Sequence, residues 1–200
     1  MDKKILLVFT KNPELGKCKT RLAKSIGSKN ALKVYKHLLE HTAKIINQIE
    51  TNIAIFYSDF INSNDIWSNN YHKKLQSEGH LGLRMENAFE WAFKKGYEKV
   101  GVIGTDLLSL TTLDIHQSFE LLDKNDVVFG PAEDGGYYLM AMNTLIKEAF
   151  FDKEWSTSSV LEQSIKDLET KKIGFLKVKN DIDTYEDLIA SGFDINQLKK

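Results

Sequence analysis

The sequence predicts an α/β protein: one three-layer domain over residues 1–200, with helices on both faces of a mostly parallel, mixed central sheet. Three observations carry the prediction. Short apolar runs alternate with segments of helical period. Several of the runs are apolar at every position, as strands covered on both faces require. Polar or turn-forming residues end nearly every run.

The elements justify this in order. Lys4 to Thr10 is an Ile-Leu-Leu-Val-Phe run closed by Lys11, Asn12 and Pro13, which reads as a central strand. After a basic loop, Leu32, Tyr35, Leu38, Leu39, Thr42, Ile45, Ile46 and Ile49 recur at helical steps, with Ser28 as a cap. Asn52 to Ser58 reads as a second strand, Asn62 to Asn70 as loop or short helix, and the region near Leu75 as a short strand. Gly79 and Gly82 lead into a helix carrying Met85, Ala88, Phe89, Ala92 and Phe93, which Gly96 ends. Lys99 to Gly104 is an apolar strand, Thr112 to Leu122 a helix, and Asp126 to Gly130 a strand. Gly136 to Met142 forms a strand entered through a glycine turn, Ser156 to Lys171 a capped helix, Ile173 to Val178 the last strand, and Tyr185 to Ala190 a short helix.

Composition narrows the function. A hydrophobic fraction of 42% and a charged fraction of 28% are those of a folded globular chain. The net charge of -1 supplies no global field for nucleic acid or an anionic membrane, so neither is expected as a partner. Cys18 is the single cysteine, which excludes an internal disulfide and fits a reducing compartment. The Ile5 to Phe9 run is too short for a signal sequence and no run is long enough to span a bilayer, so a cytoplasmic location is expected. Positive charge is nevertheless local: the first fifty residues hold eleven Lys and Arg against four acids, and those from Lys11 to Arg21 fall directly after a strand. The later lysines, Lys29, Lys33, Lys36 and Lys44, read as solvated helix surface.

Ligands of open α/β sheets bind beyond the carboxyl ends of the strands. There the sequence places Lys11, Gly16, Lys17, Lys19, Thr20 and Arg21 after the first strand, and Thr105 and Asp106 after the fourth. Glu133, Asp134, Gly135 and Gly136 follow the fifth, and Asp181 and Asp183 the last. Polyphosphate needs cations and N–H groups around its oxygens, while a divalent ion held against it needs carboxylates from separate strands. Both kinds of group meet at one rim. That pairing suits transfer at phosphorus, or at an anomeric carbon whose leaving group is a nucleoside diphosphate. Gly-x-x-x-x-Gly-Lys-Ser/Thr is absent and no Gly-x-Gly-x-x-Gly follows a strand, so P-loop and dinucleotide folds lose support. Asp181-Ile182-Asp183-Thr184 has the form of a haloacid-dehalogenase motif, but only sixteen residues follow it, too few for the rest of that fold.

The run Phe9-Thr10-Lys11-Asn12-Pro13-Glu14-Leu15-Gly16-Lys17-Cys18-Lys19-Thr20-Arg21-Leu22 resembles the opening of a bacterial transferase family called radical-SAM/selenodomain-associated transferase 1, or arsenosugar biosynthesis glycosyltransferase. Four blocks agree in order and spacing: Gly79 to Met85, Ile103 to Asp106, Gly130 to Tyr138, and Trp155-Ser156-Thr157. Asp181 to Leu188 completes the match, so the resemblance covers nearly the whole chain. It implies the GT-A fold of the nucleotide-diphospho-sugar transferase superfamily and a nucleotide under the first loop, with Lys19 and Arg21 on its phosphates. It also implies Mg2+ or Mn2+ between Asp106 and Asp183. Leu107-Leu108 stands where the family usually has Cys-Pro, and Tyr185 where proline is common; neither change removes a charged group.

The resulting expectation is a metal-assisted, nucleotide-dependent transferase acting on a small-molecule acceptor. Asp106, Lys19 and Arg21 are the catalytic candidates and Asp106 and Asp183 the metal ligands, with Asp181 a weaker one. Lys11, Gly16, Lys17, Lys19, Arg21, Gly79, Gly82, Arg84, Asn87 and Thr105 are candidates for the nucleotide, and Asp134, Gly135 and Gly136 for the acceptor. Bland alternatives stand beside these: Asp106 or Asp183 as a helix cap, Asp134 as turn chemistry, and Arg84 and Asn87 as surface; His80 as a general base and Trp155 as a stacking surface for the acceptor are set against purely structural roles. Glycosyl and nucleotidyl transfer both stay open, and a homodimer is compatible. The rival class is a nucleotide-binding regulatory or scaffold protein that keeps the fold without turnover.

Overall fold

The computed structural model describes residues 3–194, 196 and 198. Seven strands form one sheet: β1 (Lys4–Thr10), β2 (Asn52–Tyr57), β3 (His72–Leu75), β4 (Lys99–Ile103), β5 (Val127–Pro131), β6 (Tyr137–Met142) and β7 (Ile173–Phe175). Their order is β3-β2-β1-β4-β6-β5-β7. The helices are α1 (Thr20–Ile46), α2 (Leu81–Lys94), α3 (Thr112–Leu121), α4 (Val160–Asp167) and α5 (Tyr185–Ala190).

Within β1 the side chains alternate between two cores. Leu6 and Val8 enter one with Tyr35, Leu39 and Ile46 of α1 and Ile115 and Phe119 of α3. Ile5 and Leu7 enter the other with Met85, Ala88, Phe89 and Ala92 of α2. The period of two in a strand and the absence of a polar face thus have one cause: both faces are covered. On its far side α1 supplies Leu22, Ala31, Val34 and Leu38 to a third cluster with Ile182 and Leu188, which anchors the chain around α5.

Every neighbouring pair in the sheet is parallel except those of β6, which runs antiparallel to both β4 and β5. Only residues 132–136 separate β5 from β6, far short of the dozen or so that a parallel crossover needs. The turn is tied by Ala132 N–H to Gly136 O at 3.0 Å and Gly135 N–H to Ala132 O at 3.1 Å. The chain runs from β1 outward through β2 to β3 and then returns to place β4 on the other side of β1, so a crevice opens at the carboxyl ends of β1 and β4.

Several element boundaries differ from the sequence expectation. Helix α1 begins at Thr20, so Thr20 and Arg21 belong to its first turn rather than to the loop. Gly27, with φ 80° and ψ 153°, breaks the helix just before Ser28. The helix expected from Ser156 to Lys171 covers only Val160–Asp167, since Ser156 sits in the left-handed region with φ 67°. The last strand stops at Phe175. Gly96, with φ 88°, ends α2 as expected.

Candidate functional site

At the crevice lies a cleft of about 590 Å³. Lys11, Lys19, Arg21, Arg84, Thr105, Asp106, Asp134, Gly136, Asp181 and Asp183 all line it. Residues far apart in sequence are brought there by the loops after β1, β4, β5 and β7 and by the first turns of α1 and α2. Ile182 N–H donates to the carbonyl of Asp106 at 2.9 Å and its side chain is buried in the α5 cluster, which fixes Asp181 and Asp183 beside Asp106.

Lys19 joins these carboxylates. Its backbone occupies the left-handed region, φ 49° and ψ 48°, at the start of α1, an unfavourable state for a residue with a Cβ. That turn carries the side chain inward, where Nζ lies 2.7 Å from Asp106 Oδ1 and 2.9 Å from Asp183 Oδ1. Burial opposes the ammonium's charge, but Asp106 and Asp183 outweigh it and hold the lysine pKa above its ordinary value. Arg21 approaches Asp183 Oδ2 at 3.9 Å from the exposed side. At Asp181 burial, then the charge of Asp106, outweighs the opposing charge of Lys19 and pushes the carboxyl up to about 7.

The rival cap readings of the two aspartates are resolved by their neighbours. Thr184 caps α5, accepting Asp187 N–H at 3.2 Å, while Asp187 Oδ2 takes Thr184 N–H at 2.7 Å. Thr111 and Asp114 form the same reciprocal box at α3. With both helices capped by threonine, Asp106 and Asp183 are left to the cleft. Asp134 does both jobs, lining the cleft while its Oδ1 accepts Gly136 N–H at 2.9 Å.

Other candidates stand elsewhere. Lys17 turns outward to Glu14, 2.8 Å away, and neither it nor Gly16 lines the cleft. Asn87 donates to Ser77 Oγ at 2.9 Å. His80 caps α2 by accepting Leu83 N–H at 3.3 Å, so a structural task occupies it. Gly79, Gly82 and Gly135 do not line the cleft either. A Cβ at Gly82 would lie 2.4 Å from the Trp155 ring, and one at Gly135 would lie 2.0 Å from the Ser158 carbonyl. These two glycines let the segment around Trp155 pack closely. Trp155 itself is both core and cleft wall.

Two residues that position the first loop escaped the sequence reading. Tyr35, buried on α1, accepts Lys11 N–H at 2.9 Å, donates to Lys11 O at 3.0 Å and meets Thr105 Oγ1 at 3.2 Å. Burial, followed by the charge of Asp106, raises its phenol to about 12. Asn12 accepts Asp59 N–H at 3.1 Å and donates to Phe60 O at 2.9 Å, tying the loop to the end of β2. Tyr35 sits on the apolar stripe that marks the helix, so period alone labels it core.

A family described as uncharacterized protein conserved in bacteria (DUF2064) matches residues 42–157, more than half of the chain. The chain belongs to this family. Among solved structures it is similar to a putative nucleotide-diphospho-sugar transferase from Desulfovibrio desulfuricans G20, with 26% identity, a TM-score of 0.88, and coverage of 94% of this chain and 85% of that one. A cytidylyltransferase from Leptospira borgpetersenii serovar Hardjo-bovis (strain JB197) shares the fold at 14% identity and a TM-score of 0.62, covering 100% of this chain and 93% of that one. So does the 4-diphosphocytidyl-2C-methyl-D-erythritol synthase of Anaerococcus prevotii DSM 20548, at 13% identity, a TM-score of 0.60 and 100% coverage of both chains. The DUF2064 chain matches none of the curated proteins in sequence. Its mixed sheet and flanking helices are those of the nucleotide-diphospho-sugar transferase fold, as the sequence predicted. None of its described helices is long and apolar enough to cross a membrane.

Proposed function

We propose that this DUF2064 protein is a nucleotide-dependent transferase that moves a glycosyl group from a nucleotide sugar to a small-molecule acceptor. One observation carries the reading: a buried lysine ammonium joins two aspartates from different loops at the mouth of a cleft that Lys11, Arg21 and Arg84 also line. The Desulfovibrio relative, described as a putative nucleotide-diphospho-sugar transferase, supports it, as does the resemblance to the radical-SAM/selenodomain-associated transferases.

The charge balance of the cleft supports glycosyl over nucleotidyl transfer. Among the described lining residues four cations, Lys11, Lys19, Arg21 and Arg84, face four aspartates, Asp106, Asp134, Asp181 and Asp183. With Lys17 committed to Glu14, the loop is less basic toward the cleft than its sequence implies. A diphosphate leaving group suits that balance better than a triphosphate does. Nucleotidyl transfer is the second reading, favoured by the cytidylyltransferases that share the fold.

The residues present fit a hard divalent ion. Asp106 and Asp183 are each nearly half exposed, so Lys19 does not enclose them. No group of three or more His, Cys, Asp or Glu among the described residues forms a metal cage. Two open carboxylates are what Mg2+ uses when it keeps waters and takes its remaining oxygens from substrate phosphate. Asp106 and Asp183 would hold Mg2+ or Mn2+, which when bound would stabilise charge on the departing diphosphate. Lys19 and Arg21 do the same from the protein side, and the ammonium holds both aspartates in place. Asp134, which lines the cleft, would accept a hydrogen bond from the acceptor.

The decisive experiment is a thermal-shift panel of nucleotide sugars and nucleoside triphosphates, each with and without Mg2+ or Mn2+, followed by a turnover assay on every stabilising compound. Stabilisation by nucleotide sugars, followed by release of nucleoside diphosphate, is the expected result. Pyrophosphate release would establish the second reading, binding without turnover a scaffold, and no stabilisation at all would overturn the proposal.

A further inference from the structure

Two side-chain polar atoms among the described residues are buried without a hydrogen-bond partner, Tyr137 Oη and Trp155 Nε1, and both residues line the same cleft. Native proteins seldom leave such groups unpaired, and each one calls for an explanation. Indole Nε1–H can only donate, while the phenol can donate or accept. Two donors withheld from protein and water at the wall of a binding cleft are suited to ligand oxygens.

The wall is built to hold them. Trp155 lies against Gly82, where a Cβ would come within 2.4 Å of its ring. Ser158 lies against Gly135, and Leu161 N–H donates to Gly135 O at 3.1 Å, joining α4 to the β5–β6 turn. Tyr137, the first residue of β6, packs its ring against Phe129 with centroids 5.2 Å apart. Two glycine motifs of the sequence thereby find a use: they seat this wall.

Charge within the cleft is divided. The part of the lining drawn from residues 134 to 160 is Asp134, Gly136, Tyr137, Tyr138, Trp155, Ser156, Thr157 and Val160, with no cation among them. The cations lie on the loop after β1, on the first turn of α1 and on α2. Phosphate is therefore drawn away from the aromatic wall, which offers ring faces, hydroxyls and a carboxylate. A neutral ring bearing hydroxyl groups matches this: its C–H face packs on aromatic carbon, its oxygens accept from the two donors, and its hydroxyls donate to Asp134.

We propose that the Tyr137–Trp155 wall is a subsite for a neutral, polyhydroxylated ring of the sugar class, held through hydrogen bonds from Tyr137 Oη and Trp155 Nε1. This rests on the reading of the cleft as the transfer site. The donors lie behind the cleft surface, so the ring enters with a small shift of Trp155, whose segment turns through left-handed conformations at Asp152 and Ser156.

The test is a nitrogen–proton correlation spectrum of the labelled full chain, where three tryptophans give three indole signals and Trp155→Phe assigns one of them. Glucose, galactose, mannose and N-acetylglucosamine are titrated separately into the wild type, each to about tenfold above the millimolar range of weak ligands. At least one should move the Trp155 signal downfield and saturably, leaving those of Trp67 and Trp91 in place. Tyr137→Phe should then weaken that sugar roughly tenfold while leaving the nucleotide-induced thermal shift unchanged. No movement with any of the four sugars, or equal binding by Tyr137→Phe, would overturn the subsite. Nucleotide binding through Lys19 and Arg21 is read separately, so failure there with a sugar response intact would strike the transferase reading alone.

Discussion

Replacing Lys19 by methionine keeps the length of the side chain and deletes the charge between Asp106 and Asp183. Breaking a fully buried ion pair costs about 3–5 kcal/mol, because the surviving charge is left without a partner. Here Asp106 and Asp183 have side-chain exposures of 44% and 45%, so water takes over part of the ammonium's role. A loss of roughly 1–3 kcal/mol follows after that screening. For a chain of this size the melting temperature should fall by roughly 3–10 °C, measured by calorimetry in buffer free of divalent ions. The folded-state pKa of Lys19 is raised, so its contribution is fully present below the ordinary lysine value of 10.5 and disappears as pH climbs through the higher folded value. The gap between wild type and variant should therefore persist across neutral pH and close in strong alkali. Mn2+ should raise the melting temperature of Lys19→Met more than that of the wild type, since an added cation has more uncompensated charge to neutralise. An unchanged melting temperature at neutral pH would refute the bridge.

Asp106→Asn and Asp183→Asn should each fold and lose turnover by about 10²–10³-fold, checked on whichever nucleotide sugar the thermal-shift panel identifies. Asp181, pushed up to about 7 from 3.8, destabilises the fold increasingly as pH rises between those values and fully above them; Asp181→Asn should raise the melting temperature near pH 8 and do little near pH 4, and an equal effect at both would refute it. Gly16 and Gly135 both have positive φ, but a Cβ at Gly16 meets open space and one at Gly135 meets the Ser158 carbonyl at 2.0 Å. Gly16→Ala should cost about 1 kcal/mol in denaturant melts and Gly135→Ala well over that. Tyr35→Phe should cost about 1–3 kcal/mol by the same measurement, because it leaves buried partners around Lys11 and Thr105 unpaired.

The strands were legible because burial on both faces removes polar residues from them, as Ile5 to Val8 show. Asp106 and Asp183 were legible because each stands at the end of a strand or loop at the sheet's carboxyl rim. Side-chain direction was not. Nothing in the spacing of Lys17 and Lys19 says that one turns to Glu14 and the other inward, since that follows from the left-handed backbone at Lys19. Gly82 and Gly135 looked like ligand-facing glycines, whereas the close neighbour of each is protein, Trp155 and Ser158 respectively. Tyr35 was hidden by its apolar body, which fits a core pattern whether or not the polar end has a separate task.

In the proposed function the first loop would meet its nucleotide with its shape already set. Tyr35 clamps Lys11 from beneath and Asn12 fastens the loop to residues 59 and 60, so its conformational freedom is surrendered during folding rather than on meeting a nucleotide. Association through such a loop carries little ordering entropy, and affinity comes from matching charge to a rigid surface. Its binding should then show no slow phase of loop closure.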